Sequence, residues 1–239
     1  MCQWKEIAAP PELRRAVVHV WKTWLTEDTA DLAPCCVPRE ERSRLQRAVQ
    51  QAVRRRRLAA RTALRCILGV YLGKPARDVA LTEAVRGKPE LAAPDARTGL
   101  SFSLAHSEDL ALCAVTLHDD VGADVEYVRP RNSISKLVDR FFTPEEARTF
   151  AALPENRRAN AFYRAWTVKE SVLKAEGLGL HGHLGQVAAT MDQETPPQLL
   201  DAPGGATAWT IKTFQPESGY TAACAVRGAA NAFAFYRWG

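Results

Sequence analysis

The sequence has little that would place a protein outside the cell or in a membrane. Its start, MCQWKEIAAPPEL, contains no apolar stretch of signal-peptide length, and no run elsewhere approaches the roughly 20 apolar residues of a membrane span. Of its 239 residues, 46% are hydrophobic and 25% are charged, which is typical of a globular protein with a substantial core. We therefore expect a cytoplasmic protein without a membrane partner.

Metal and disulfide patterns are also missing. Six cysteines occur without a Cys-x-x-Cys motif, and Cys66, Cys113 and Cys224 lie in apolar segments, as small core residues do. The five histidines lack the spacing of zinc ligands, and His181 and His183 lie two apart in a Gly-rich loop that we expect to face solvent. The sequence predicts neither a zinc site nor a disulfide framework.

Positive charge is concentrated in the first third of the chain. The net charge is +5, and residues 1–75 contain 15 Lys and Arg against 7 Asp and Glu. The segment 38–72 has no internal proline and predicts one long helix or two abutting ones, with Arg57, Arg61 and Arg65 in a stripe beside its apolar face. Such a stripe is typical of a solvated face or a nucleic-acid patch, and it can also line a phosphate pocket.

The predicted elements follow the order helix then strands, twice over. Strands are predicted at 79–85, 100–104, 110–117 and 121–128, helices at 133–141, 144–153 and 157–176, and two more strands in AWTIKTFQ and YTAACAVRG. The order predicts an α+β protein of two comparable halves, residues 1–118 and 119–239. The aromatic tail, NAFAFYRWG, is expected to pack on a surface groove.

Acidic residues of the second half are spaced so that they can work together. Asp124 and Glu126 are two apart on a predicted strand and therefore share a face. Their repulsion would be relieved by a divalent cation, and Mg²⁺ typically takes one or two protein carboxylates plus phosphate oxygens. Glu170 can supply a third oxygen and Lys174 can neutralise a leaving phosphate. Spacing alone fits an exposed polar face equally well.

Five motifs carry a resemblance to a known family. They are GADVE at 122–126, WTVKESVLK at 166–174, RGKP at 86–89, FSLAHS at 102–107 and RFFTPEE at 140–146. Together with the closing WTIKTFQPESGYTAACAV, they resemble the 4'-phosphopantetheinyl transferases of the surfactin-synthetase-activating (Sfp) type. The likeness runs in order from about residue 38 to residue 226.

The resemblance implies a fold and an activity. The fold is two similar α+β halves related by pseudo-two-fold symmetry, with the active site in the cleft between them. The activity is transfer of the 4'-phosphopantetheine arm of coenzyme A to a serine hydroxyl of an acyl or peptidyl carrier protein, releasing 3',5'-ADP. The implied cofactor is Mg²⁺, with Mn²⁺ as an alternative, coenzyme A is the co-substrate, and the protein is a monomer. The first half would bind the coenzyme A nucleotide and the second half the metal.

By the same resemblance, Asp124, Glu126 and Glu170 hold the metal, Glu170 takes the serine proton, and Lys174 stabilises the diphosphate. Lys169 either contacts phosphate or projects outward. The further residues implied to contact coenzyme A are Arg44, Arg56, Arg57 and Arg61 at the 3'-phosphate, Lys88 and Pro89 at the adenine, and His106 at a phosphate.

The chain departs from the family pattern at two positions before His106. The family's Asn and Ser are Ser103 and Ala105 in this sequence, so that a hydroxyl is absent at position 105.

Two other functions remain compatible with these residues. One is a catalytically silent scaffold that binds carrier proteins. The other is a nucleic-acid-binding module that uses RRRRLAARTALR, at residues 54–65, with strong salt dependence. The second needs no role for the three carboxylates, and no aromatic stacking platform surrounds the basic run. We therefore predict no nucleic-acid partner.

Overall fold

The computed structural model describes residues 3–6, 12–47, 50–84, 87–131, 133–178, 183–191 and 197–239. Arg86 of the RGKP turn and His181 lie outside these ranges. None of the helices in the described part of the chain combines the length and the apolar character needed to cross a membrane.

The first half contains strands and the helices that pack against them. Its elements are β1 (Lys5–Glu6), β2 (Val17–Trp24), α1 (Glu27–Asp31), α2 (Ala33–Cys36), α3 (Arg39–Leu45), α4 (Gln51–Leu72), β3 (Leu81–Glu83), β4 (Pro89–Leu91), β5 (Leu100–Ser107) and β6 (Leu110–Leu117). The apolar pattern at 38–72 thus forms two helices. Gly73 ends α4 in the left-handed conformation, with a φ of 63°.

The second half repeats this order. Its elements are β7 (Val121–Tyr127), α5 (Ile134–Phe141), α6 (Pro144–Ala152), α7 (Glu155–Ala175), β8 (Ala188–Ala189), β9 (Leu199–Asp201), β10 (Trp209–Phe214), β11 (Tyr220–Arg227) and β12 (Ala232–Arg237). β7 corresponds to β2, α7 to α4, and the pair β10 and β11 to the pair β5 and β6. The predicted α+β architecture is confirmed. In each half a strand, β2 or β7, precedes the helices, and β2 was not predicted.

The long strands form two sheets. The larger sheet has the order β1-β12-β2-β6-β5, and the smaller has the order β10-β11-β7. Neighbouring strands are antiparallel except β12, which runs parallel to both β1 and β2. The two remaining pairs, β3 with β4 and β8 with β9, are short antiparallel ribbons.

The two sheets share an apolar core. Side chains of both sheets meet in it, including Val18, Val20, Leu112, Ala114, Ala123, Val125, Ala222 and Cys224. The outer face of the larger sheet is covered by α4, and the outer face of the smaller sheet by α7. The result is four layers in the order helix, sheet, sheet, helix. Because Ala123 and Val125 point into the core, alternation turns Gly122 and Asp124 toward α7.

The two halves are joined where β5 lies against β7. The Ala123 amide donates to Ser103 Oγ at 3.0 Å, and the Tyr127 amide donates to Ser107 Oγ at 3.1 Å. The Ser107 hydroxyl in turn donates to Glu126 Oε2 at 2.7 Å. Serines of the first half therefore hold the strand that carries Asp124 and Glu126.

The expectation for the aromatic tail is wrong. Instead of packing on a surface groove, it forms β12, whose register pairs Ala232 with Val17 and Arg237 with Lys22. Phe235 and Tyr236 are buried in it. The chain end thereby completes the sheet of the first half, because β2 presents an edge that needs a hydrogen-bonding partner.

His19 is a buried histidine held in its neutral form. Trp21 Nε1 donates to the Tyr71 hydroxyl at 2.8 Å, and the same hydroxyl is hydrogen-bonded to His19 Nδ1, also at 2.8 Å. The His19 side chain is 2% exposed. Removal from water lowers the pKa of His19 from 6.5 to about 4.

We expect His19 to make folding stability depend on pH. The unfolded histidine takes up a proton as the pH falls below about 6.5, whereas the folded one does so only near pH 4, so stability is lost across this window. The loss attributable to His19 between pH 7 and pH 4 is about 3 kcal/mol. His19→Asn keeps an acceptor for the Tyr71 hydroxyl and should lose this component in urea titrations. Equal pH dependence in both proteins would contradict the assignment.

Candidate active site

The candidate site forms where β7 lies directly on α7. Gly122 makes this approach possible, because a Cβ at this position would overlap the Ser171 carbonyl oxygen and lie 2.5 Å from the Ala175 nitrogen. Both neighbours are backbone atoms and cannot turn aside. The glycine of the GADVE motif is therefore required by packing.

The structure brings together four of the predicted site residues at this contact. Lys174 Nζ lies 2.5 Å from Asp124 Oδ1 and 3.5 Å from Glu170 Oε2. Asp124 is 3% exposed and Glu170 is 6% exposed. Glu126, on the same strand face as Asp124, is half-buried and is held by Ser107. The site is thus an acidic cluster of three carboxylates around one ammonium.

The cluster has more negative charge than it can easily hold. Burial and the neighbouring Asp124 raise the pKa of Glu170 to about 8. The pKa values of Asp124 and Glu126 are also raised, chiefly by burial. Burial alone would lower the pKa of Lys174, but Asp124 and Glu170 outweigh it and raise that pKa. The excess of carboxylates favours an additional positive charge.

One carboxylate oxygen of the cluster is left over. Asp124 Oδ2 is buried and accepts no hydrogen bond from any residue that the structure describes. Within the described ranges, no three His, Cys, Asp or Glu side chains form a ready metal cage, and the Lys174 ammonium bridges Asp124 and Glu170 instead. The oxygen donors and the unpartnered Asp124 atom nevertheless fit a hard divalent cation such as Mg²⁺.

Basic residues of the first half surround the cluster on the side of His106. His106 is near the end of β5, and its side chain is exposed. Partial removal from water, and the positive charges of Lys174, Arg57 and Arg56, lower its pKa. Arg57 is exposed, whereas Arg56 is paired with Glu108 at 3.0 Å and Asp109 at 2.8 Å. The structure therefore gathers His106, Arg56 and Arg57 near one another.

A second group of predicted residues lies at the end of α7. Lys88 Nζ donates to the Lys174 carbonyl at 2.7 Å, and is 3.4 Å from the Val121 carbonyl. Lys88 and Pro89 line a cavity of about 300 Å³, together with Leu100, Phe102, Asp120, Glu176 and Gly177 among others. This cavity adjoins the acidic cluster through the backbone of Lys174.

Three of the predicted residues are not brought to the cluster. Arg61 pairs with Glu41 at 3.2 Å, in a buried group that also contains Arg65. Arg44 is exposed on α3. Lys169 neither contacts the cluster nor projects outward: its ammonium is fully buried and pairs with Glu146 at 2.7 Å. This burial corrects both alternatives predicted for Lys169, which were contact with phosphate and projection outward.

Comparisons with known proteins match the chain in both halves. The model of the 4'-phosphopantetheinyl transferase superfamily matches residues 120–225, and that of the N-terminal region of 4'-phosphopantetheinyl transferase matches residues 21–118. The 4'-phosphopantetheinyl transferase HetI of Nostoc sp. is 36% identical over 95% of this chain and 96% of its own length. The chain belongs to the 4'-phosphopantetheinyl transferase superfamily. The predicted enzyme class, a transferase, is thereby confirmed.

Other relatives support membership of this superfamily but do not define a narrower type of transferase. A putative 4'-phosphopantetheinyl transferase of Synechocystis sp. is 33% identical over 69% of this chain and 68% of its own length. The Sfp protein of Bacillus subtilis is 26% identical over 78% of this chain and 80% of its own length. The narrower Sfp type and the roles of single residues therefore stay predictions.

Glu146 was not predicted from the sequence, although it connects three elements of the transferase next to the acidic cluster. Its Oε2 accepts from Lys169 and from the Thr143 amide at 2.7 Å, and its Oε1 accepts from the Ala189 amide at 2.9 Å. It thereby joins α6, α7 and β8. The Thr-x-x-Glu spacing of TPEE, a capping box, was the available signal.

Two arginines of the basic segment were also not predicted from the sequence. Arg42 and Arg55 line a cavity of about 610 Å³ between α1, α2 and α4. Their Nε atoms are buried and donate to no acceptor in the described part of the chain. The Arg55 guanidinium also pairs with Glu27 at 3.0 Å and with Asp109 at 3.7 Å, and helical spacing did not separate these two arginines from the neighbouring ones.

We expect Gly122→Ala to separate β7 from α7. The added methyl group meets backbone atoms, so relief requires a shift of the strand or the helix and costs about 1–3 kcal/mol of folding stability. Gly185→Ala is the matched control, since a Cβ there meets nothing within 4 Å. Urea titrations compare the two variants. Equal stability of both variants would show that the contact is less tight than described.

We expect Lys169→Met to destabilise the transferase by about 3–5 kcal/mol, because it leaves the Glu146 carboxylate buried without its cation. The double variant Lys169→Met with Glu146→Gln removes that charge and keeps an acceptor for Ala189. It should recover part of the loss in the same titrations. A single variant as stable as the parent would contradict a structural ion pair.

Proposed function

We propose that the transferase moves the 4'-phosphopantetheine arm of coenzyme A to a serine hydroxyl of an acyl or peptidyl carrier protein, and that it is of the Sfp type. The observation that carries this proposal is the acidic cluster, in which Asp124 and Glu126 of β7 meet Glu170 and Lys174 of α7. Family membership over both halves supports the reaction type.

The cluster suits a divalent cation at the diphosphate of coenzyme A. Asp124, Glu126 and Glu170 would hold Mg²⁺ or Mn²⁺, and the unpartnered Asp124 Oδ2 supports this assignment. When bound, the metal supplies Lewis-acid neutralisation of the diphosphate charge. Two or three carboxylates crowded in a buried site are costly without such a charge, which is reflected in their raised pKa values.

The reaction requires one proton acceptor and one stabilised leaving group. The serine oxygen attacks the β-phosphorus, the bond between that phosphorus and the oxygen of 3',5'-ADP breaks, and the serine proton passes to Glu170. Glu170 is buried beside Asp124 and Lys174 at this contact, where its carboxylate can accept that proton. Lys174, half-buried and cationic, would neutralise charge that develops on the departing 3',5'-ADP.

Coenzyme A would bind along the residues of the first half. The cavity at Lys88 and Pro89 is the proposed place of the adenine, and His106 with Arg56 and Arg57 would contact phosphates. Arg44 and Arg61 are weaker candidates for the 3'-phosphate, because Arg44 lies exposed on α3 and Arg61 is paired with Glu41. Lys169 is excluded from this set by its burial against Glu146.

The remaining assignments follow from this reaction. Residues 1–118 would serve the coenzyme A nucleotide and residues 119–239 the metal and the proton transfer, in a cytoplasmic monomer. A nucleic-acid partner is disfavoured, because Arg55 and Arg56 of the basic run already pair with Glu27, Glu108 and Asp109. A silent scaffold is disfavoured because all three carboxylates and Lys174 are present.

The test is mass spectrometry of apo carrier proteins incubated with coenzyme A, Mg²⁺ and the transferase. The expected result is a mass gain of one phosphopantetheine group that is lost with EDTA. Glu170→Gln removes the base and a metal ligand and should reduce transfer by about 100-fold or more. Glu155→Gln, an exposed change on the same helix, should leave transfer intact.

Several outcomes would overturn the proposal. Full transfer by Glu170→Gln, or transfer unaffected by EDTA, would remove the acidic cluster from the mechanism. Binding of carrier proteins with no mass gain, across acyl and peptidyl types, would favour the silent scaffold. Binding of DNA that weakens steeply with salt, with no transfer, would favour the nucleic-acid module.

A further inference from the structure

Two cysteines meet on the helical side of the first half, and neither is assigned a role in the reaction. Cys36 is the last residue of α2, and Cys66 lies in the middle of α4. Their Sγ atoms are 3.7 Å apart. Both side chains are partly exposed, so that a small reagent can reach the pair. The two cysteines are 30 positions apart, so the sequence gives no indication of this contact.

The pair differs from the other described cysteines. Cys113 and Cys224 are fully buried in strands. Cys35 is exposed beside Cys36, and no close sulfur is recorded for it among the described residues. An S–S bond is about 2.05 Å long, so the two sulfurs need to approach by about 1.7 Å. Cys36 and Cys66 are therefore positioned for a bond with each other.

We propose that Cys36 and Cys66 form an oxidation site, which closes to an intramolecular disulfide by exchange with a small disulfide such as oxidised glutathione. Cys36, at the end of a short helix and beside solvent, is the thiol that reacts first. Burial and the neighbouring Cys36 raise the pKa of Cys66 to about 12, so Cys66 is the less reactive thiol of the pair and reacts second.

The exchange balances in two steps. The Cys36 thiolate, after losing its proton to solvent, attacks one sulfur of oxidised glutathione and displaces one glutathione thiolate. The Cys66 sulfur, losing its proton to solvent, then attacks the Cys36 sulfur and displaces the second glutathione thiolate. Two protein thiols are oxidised, and one glutathione disulfide is reduced to two glutathione thiols, which take up the two protons.

The disulfide would fix the position of a segment that contacts α4, the helix with the basic run. The chain between the two cysteines includes α3, whose Glu41 is held by Arg61 and Arg65 of α4. A bond from Cys36 to Cys66 fastens the corner between α2 and α3 to α4 near this group. Closing this loop restricts the unfolded chain, so the oxidised protein is more stable than the reduced one.

The test uses the full chain purified in reducing buffer and then incubated with oxidised glutathione. Free thiols are alkylated, and the protein is digested and analysed by mass spectrometry without reduction. The expected product is one peptide pair joined through Cys36 and Cys66, lacking two hydrogen atoms. The melting temperature should rise by roughly 5–10 °C, and both changes should reverse with dithiothreitol.

Three single variants make the result specific. Cys36→Ser and Cys66→Ser should each lose the cross-link and the thermal shift, whereas Cys35→Ser, next to the pair, should keep both. Far-ultraviolet circular dichroism checks that the variants fold, and the reversal in the unmodified chain needs no variant. Stable glutathionylation of Cys36 without a cross-link, a bond from Cys35 to Cys66, or a disulfide between two chains would each overturn the proposal.

Discussion

The contact between β7 and α7 is the feature on which the site depends. Gly122 has no side chain, so the strand lies directly against the backbone of Ser171 and Ala175. At this separation Asp124 Oδ1 of the strand lies 2.5 Å from Lys174 Nζ of the helix. Burial then strengthens the electrostatic interactions within the group, because little water remains to screen them. A small residue at one position thus sets the geometry of a charged cluster several residues away.

Two neighbouring residues of α7 show that a contact between a lysine and a carboxylate can serve two different roles. Lys169 and Glu170 are adjacent and therefore point about 100° apart on the helix. Lys169 meets one carboxylate, that of Glu146, in a fully buried pair whose charges match. Glu170 meets other carboxylates and a shared ammonium, so that burial and the neighbouring Asp124 raise its pKa. A matched buried pair holds the helix in place, while an unmatched cluster is typical of a reactive site.

The first half contributes through its junction with the second. Ser103 and Ser107 of β5 hold the backbone of β7, and His106 lies between them in sequence, close to the charges of Lys174 and Arg57. The excess positive charge of this half is also partly used internally, as the pairing of Arg61 with Glu41 shows. A basic run in a sequence therefore overstates the cationic groups that are free for a ligand.

Local patterns were sufficient for the elements themselves. Helical and strand periodicity predicted α4, α7 and β7, and the two-residue spacing of Asp124 and Glu126 placed them on one face, because each pattern depends on neighbours along the chain. Ordered motifs over most of the chain were sufficient for the family. Tertiary structure alone decided the parallel pairing of β12 with β2, the partner of Lys169 and the meeting of Cys36 with Cys66. Periodicity shows which face of an element is buried, but not which distant segment covers it, since that choice depends on packing over the whole molecule.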